Sequence, residues 1–295
     1  MASSSSSKAR SLREIRSISL PCRSNPRTVR IGEELNKVKA WAAPSAPTSR
    51  TIRDGLSGLA VLYRCAEELL SLSATQQALF RHQNELWVDE FQDLFLSLLD
   101  ICGNSRDFLA KINENGRELQ SSRRRRKGDP SIEASIARYT SLGKKLKKET
   151  RKLILDLKQM ETKIEPSQPQ EQDHHVSSVV RALREVIAVS FFVLQSLLLF
   201  LTVPRARGWS VVSKLLHKGA VAYENQQENV NELERVDDAL QALYRNNSSE
   251  GDKVKVAQDS LKSLEESVET IEIGLECLFR HLIKARASLL NMLSL

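Results

Sequence analysis

The chain has 295 residues, 41% of them hydrophobic and 27% charged, with a formal net charge of +7. That balance supports a folded core and excludes a wholly disordered chain. Aromatic residues make up only 5%, and the basic residues are answered by acidic ones elsewhere, so nucleic acid is a disfavoured partner.

Charge is laid out in blocks. Residues 111–163 carry 16 Lys/Arg against 7 Asp/Glu, and residues 224–276 carry 5 against 14. Such blocks either dock on each other or face separate partners, and the high effective concentration within one chain favours docking. With 11 Gly and 8 Pro, the Pro lying outside the periodic stretches, long uninterrupted helices are predicted.

Residues 1–50 read as a disordered arm. The first 30 hold 9 Ser, 7 Arg/Lys and a single acid, Glu14, too little apolar surface to offset chain entropy. A short helix around Ile31–Trp41 fits the pattern before the Pro44–Pro47 breaker. The arm also contains Arg16-Ser17-Ile18-Ser19-Leu20-Pro21. Arg16 lies three residues before Ser19, which suits a basophilic kinase. The phosphorylated segment would then suit the Arg cluster of a 14-3-3 protein. The same Ser- and Arg-rich, acid-poor composition also suits an organelle transit peptide, so a plastid address competes with that reading.

Helical spacing begins at Gly55, with Leu56, Leu59, Leu62, Tyr63, Ala66, Leu69 and Leu70 on one face. A second run extends from Phe91 to Leu119. It ends in Arg123, Arg124, Arg125, Arg126 and Lys127, which read equally as a nuclear import signal, a phosphoinositide patch or a solvated loop. Gly128 stops that run, Asp129 caps the next, and Pro130 opens it. The helix from about Ser131 to Ile164 has an apolar stripe through Ile136, Tyr139, Leu146, Leu153 and Leu157 and is basic elsewhere. A polar linker spans residues 165–174, and its His174-His175 pair reads as solvated rather than metal-binding.

The helix predicted over 176–204 contains Val186–Val203, which has no charge. This run reaches about 28 Å, enough to cross a bilayer. Arg181 and Arg184 precede it, and Arg205 and Arg207 follow. Its few polar residues share no face, which fits either a membrane span or a central helix; the number of amphipathic helices needing something to cover favours the latter. A basic connector over 205–222 leads to a helix over 224–245, where Asp237-Asp238 reads as solubilising charge, and then to a turn over 246–251.

The last segment carries the clearest pattern. Leu261, Leu264, Val268, Ile271, Leu275, Leu278, Leu282 and Leu289 alternate in steps of three and four, a heptad seam that begins at Val254 and ends at Met292. Phe279, Ile283 and Leu290 widen it near its end, which predicts contact with more than one neighbour in a bundle rather than a two-stranded coiled coil.

Cys22, Cys65, Cys102 and Cys277 lie far apart without a CxxC pair, as reduced thiols do, three of them on apolar helix faces. No apolar signal core follows Met1, so an intracellular and first of all cytoplasmic protein is expected, with membrane, plastid or nucleus as alternatives. No Walker loop, dinucleotide fingerprint or HExxH motif occurs, so neither enzyme activity nor a cofactor is expected.

Several short stretches carry a resemblance. They are Arg16–Pro21, Gly55-Leu56-Ser57-Gly58-Leu59, Thr75-Gln76-Gln77-Ala78-Leu79, Leu99-Asp100-Ile101-Cys102-Gly103, Arg124–Asp129 and Gly274–Arg280. In this order they resemble the BYPASS-like family of plant proteins, a plant domain of unknown function. The resemblance implies a helical plant protein linked to root and shoot development, and it transfers no catalytic residue. The expectation is an all-α, elongated multi-helix bundle over residues 51–295, with long antiparallel helices and linkers near 165–174 and 246–252. It would act as a scaffold through helix-mediated protein binding. The pattern leaves the oligomeric state open.

Overall fold

Pro26 opens the first helix, at the one position where a missing N–H and a preset φ both suit a helix. A computed structural model describes residues 26–41, 47–82, 86–125, 130–163, 174–202, 231–245 and 250–293. Within them are eight helices and no strand: α1 (Pro26–Trp41), α2 (Ser49–Leu70), α3 (Ser73–Arg81), α4 (Leu86–Arg125), α5 (Pro130–Lys163), α6 (His174–Thr202), α7 (Glu232–Arg245) and α8 (Glu250–Leu293). At 1.5 Å per residue, α4 and α8 are about 60 and 66 Å long.

The helical body begins at Pro26 and not at residue 51. Ile31, Leu35 and Val38 of α1 are buried against α2 and α6. Their four-and-three spacing is an amphipathic stripe, and the short helix expected around Ile31–Trp41 is present and starts earlier, at Pro26. Residues 1–25, where most of the expected arm falls, lie outside the described residues. α2 likewise starts six residues before the apolar spacing does. Its start is a capping box: the Thr48 side chain accepts from the Thr51 N–H at 3.3 Å, and the Thr51 hydroxyl oxygen accepts from the Thr48 N–H at 2.9 Å.

Two linker expectations are corrected. His174 and His175 form the first turn of α6 rather than a linker, with His175 Nε2 3.2 Å from the Thr75 hydroxyl of α3. Glu250 and Gly251 already belong to α8, which leaves residues 246–249 of the expected turn outside the described residues.

α7 is held at its start by Asn231. The Asn231 side-chain oxygen accepts from the Leu233 N–H at 2.8 Å, an N-cap, while its amide nitrogen donates to the Phe200 carbonyl at 2.9 Å. The end of α6 and the start of α7 are thereby tied together.

α6 is the central helix. It packs against α1, α2, α3, α4 and α5, and sixteen of its residues are buried. It is the one described helix long and apolar enough to cross a membrane, and 67% of its most hydrophobic stretch is buried within the protein. Arg184 does not serve as a free flanking cation. It lies inside the bundle, 3.0 Å from Glu90 of α4, with only 11% of its side chain exposed.

α8 packs against α2, α3, α4 and α7. All eight residues of the heptad seam are at most 2% exposed. The seam therefore serves packing within one chain. α5 has a shallower stripe: Tyr139, Leu146 and Leu157 are buried, and Ile136, Leu142, Leu153 and Met160 are partly so, against α4 and α6.

Two glycines set helix spacing. A Cβ on Gly58 would sit 2.7 Å from Val38 Cγ2, and one on Gly274 would sit 3.0–3.1 Å from Leu56. Val38 is β-branched and cannot swing aside freely. Gly58→Ala is expected to cost about 1–3 kcal/mol in urea unfolding, less the helix-propensity gain of about 1 kcal/mol. Gly103, whose Cβ position is open, serves as the control; Gly103→Ala should be neutral or stabilising.

Candidate functional site

The opposite charge blocks meet, with ion pairs along α4. Arg117 of α4 contacts Glu265 at 2.6 Å and Glu269 at 3.0 Å, and Arg106 contacts Glu276 at 2.7 Å. One step forward along α4 is matched by one step back along α8, so the pair is antiparallel. These links are half exposed and screened by solvent; they fix register more than they stabilise.

That register carries the outer face of the α4–α8 pair into a shallow groove. It is lined by Gly103, Arg106, Ala110, Ile273, Cys277 and Arg280. Further along, the register places Leu96 and Leu99 across from Ile283 and Arg286. Ile283 and Leu290, expected to meet a second neighbour within the bundle, are instead 46% and 41% exposed. Cys277 is exposed too, contrary to the expectation for the three thiols, because it lies on the side of α8 away from the seam. Cys65 and Cys102 are buried as expected.

The expected kinase and 14-3-3 motif, Arg16, Ser17, Ser19 and Pro21, lies outside the described residues. Of the basic patch, Arg123, Arg124 and Arg125 belong to the last turn of α4. Arg126 and Lys127 lie outside the described residues.

A polar line crosses the core. Tyr63 of α2 is fully buried, and its hydroxyl lies 3.0 Å from the Ser190 hydroxyl, which donates to the Val186 carbonyl at 2.8 Å. Tyr63 therefore donates to Ser190. The His281 ring stacks near Tyr63, with Nδ1 2.6 Å from a Glu67 carboxylate oxygen. Burial pushes the Tyr63 phenol above its ordinary range. Burial likewise pushes the Cys102 thiol up to about 12 from 9.0.

The Cys102 shift has a readable consequence. An unfolded chain ionises the thiol near pH 9, whereas the folded chain holds the proton until about pH 12. The contribution is complete below pH 9 and is lost as pH rises between those values, by up to about 1.4 kcal/mol per unit. The urea midpoint of the Cys102→Ala variant should accordingly fall less steeply from pH 9 to 10.5 than that of the wild type.

A second concavity lies where α5, α6 and α7 converge. This cleft of about 280 Å³ has Leu142, Leu146, Leu201 and Leu233 among its lining residues. Lys144 and Lys147 of α5 stand on one wall, and Glu234, Asp237 and Asp238 of α7 on the other. Asp237 and Asp238, expected as solubilising charge, line this cleft. Periodicity could not reveal this, because it depends on which helices converge. Among the described residues, no group of three or more His, Cys, Asp or Glu side chains is arranged to hold a metal ion.

A family model described as Protein BPS1 matches residues 55–292. The chain belongs to this plant BYPASS family. The matched region runs from α2 to the last turn of α8, so the groove and the cleft are both parts of the BPS1 fold. Membership in the BPS1 family points to a plant developmental regulator whose mechanism is not established. No curated protein and no solved structure shows significant similarity to the chain.

Proposed function

We propose that the chain is a non-enzymatic scaffold that regulates root and shoot development by binding protein partners through its helical surfaces. The outer face of the α4–α8 pair carries this reading. Leu96, Ile273, Ile283 and Leu290 stand there 46%, 73%, 46% and 41% exposed. Side-by-side helices leave a groove that a third helix fills, so the fitting occupant is an amphipathic helix of a partner. Proximity labelling in plant cells with the full-length protein and its Ile283→Asp/Leu290→Asp variant tests this. Selective loss of neighbours from a variant with unchanged helicity supports the surface, and identical neighbour sets reject it.

Phosphorylation of Ser19 adds a second, regulated contact in this proposal, with a 14-3-3 protein as its reader, in the cytoplasm. Kinase-treated protein should be retained by a 14-3-3 protein, and retention unchanged in Ser19→Ala rejects the contact.

The length and apolar character of α6 favour one further reading, a membrane-anchored regulator. Its burial against five helices weighs against that reading. Pelleting with membranes that resists carbonate extraction would reverse this order.

A further inference from the structure

We infer that a second copy of this chain docks on the outer side of α8, with the two α8 helices antiparallel about a two-fold axis near Leu275. The inference rests on the reading of the α4–α8 outer face as a docking surface, and it names the helix which that face takes.

α8 carries two stripes. The heptad seam faces inward. On the opposite side Glu266, Glu269, Ile273, Cys277, Arg280 and Lys284 follow one another in steps of three and four, and all six are exposed. Ile273, in the middle, is 73% exposed, the most of any large apolar side chain among the described residues. Beside the stripe, Gly103 and Ala110 keep the α4 wall of the groove low, so a second helix can settle close to both.

The order of the charges decides the partner. The stripe reads acid, acid, apolar, apolar, base, base. Turned end for end about Leu275, it is its own complement. Glu266 then meets Lys284 of the second copy, Glu269 meets Arg280, and Ile273 meets Cys277, each pair being made twice, as in any two-fold contact. The flanks of the helix follow the same rule. Residues 265–276 hold five acids and no Lys or Arg, and residues 278–289 hold three Lys/Arg and no acid. A parallel copy would lay acid on acid and base on base, so charge also selects the orientation.

Contacts within the chain leave these charges available. Glu269 is held by Arg117 and Arg280 by Glu276, yet their side chains stay 53% and 72% exposed. Glu266 is 69% exposed, with Lys262 no nearer than 3.9 Å. A carboxylate accepts several hydrogen bonds and a guanidinium donates five, so each has capacity for a partner.

Sedimentation equilibrium of the full-length protein tests the assignment, and twice the mass of one chain is expected. Glu266→Lys/Glu269→Lys makes the stripe basic throughout, and Arg280→Glu/Lys284→Glu makes it acidic throughout. Each variant alone should dimerise at least about tenfold more weakly, and an equimolar mixture of the two should restore the dimer. In the antiparallel register the two Cys277 residues lie about 6 Å apart along the axis. A bismaleimide with an ethylene spacer should therefore yield a Cys277–Cys277 cross-linked peptide from the wild type. A dimer that neither charge variant weakens overturns the inference, as does absence of the cross-linked peptide. A monomeric wild type overturns it too, while the wider docking surface stands or falls separately, on the neighbour sets of Ile283→Asp/Leu290→Asp.

Discussion

Leu275→Ala should lower the unfolding free energy by about 3 kcal/mol, within the range of about 2–5 for such truncations. Leu275 is 0% exposed and belongs to the heptad seam. Its helix is held between α2 and α4, at fixed register by Arg106 and Arg117 on one side and at close approach to Leu56 through Gly274 on the other. Such walls collapse poorly into a void, so the cavity left behind adds to the lost transfer energy. Two residues away, Ile273 is 73% exposed, and Ile273→Ala should change stability by less than about 0.5 kcal/mol. Urea unfolding of both variants, with the slope unchanged, checks the pair. A small loss at Leu275 would mean that α8 is not clamped as described.

Arg184→Ala should be at least as damaging, by about 3–5 kcal/mol. Arg184 and Glu90 are 11% and 21% exposed and 3.0 Å apart, and the guanidinium lies 6.0 Å from the centre of the Phe91 ring. The second carboxylate oxygen of Glu90 is buried without a hydrogen-bond partner. Removing Arg184 therefore strands a charge between α4 and α6 that already lacks full satisfaction. Replacing both residues together, as Glu90→Leu/Arg184→Met, should recover most of the loss, because an apolar pair carries no desolvation penalty. If the double variant is as unstable as the single one, the loss comes from packing of the Arg184 stem rather than from the stranded carboxylate.

The helices were legible wherever one stripe of the helix faces the core. Leu261 to Leu289 announce α8 because every third or fourth residue is apolar and nothing interrupts them. Pro130 announced α5 for a similarly local reason. α1 was missed as part of the body because three buried residues among many charged ones are a weak signal until α2 and α6 are seen to receive them. The extra turns of α2 rest on hydroxyl capping by Thr48 and Thr51, which apolar spacing does not record. The role of Arg184 was misjudged because sequence neighbours made it look like a flank, whereas its partner Glu90 lies 94 residues away. The cleft was invisible for the same reason: its walls come from α5 and α7, and only tertiary packing brings Tyr139 near Asp237.

The tie from Asn231 to the Phe200 carbonyl has a topological consequence. The first described residue after Thr202, Asn231, sits against the end of α6, and α7 and α8 are held in position by contacts among the described helices. α8 is attached to α2 and α4 through the buried seam and the Arg106, Arg117 and Glu67 contacts, and α7 packs on α8. A backbone cut within 203–230 should therefore leave a nicked protein that still migrates as one particle. Two halves divided there and co-expressed should reassemble by fragment complementation, which makes this position a natural place to split the molecule for a reporter.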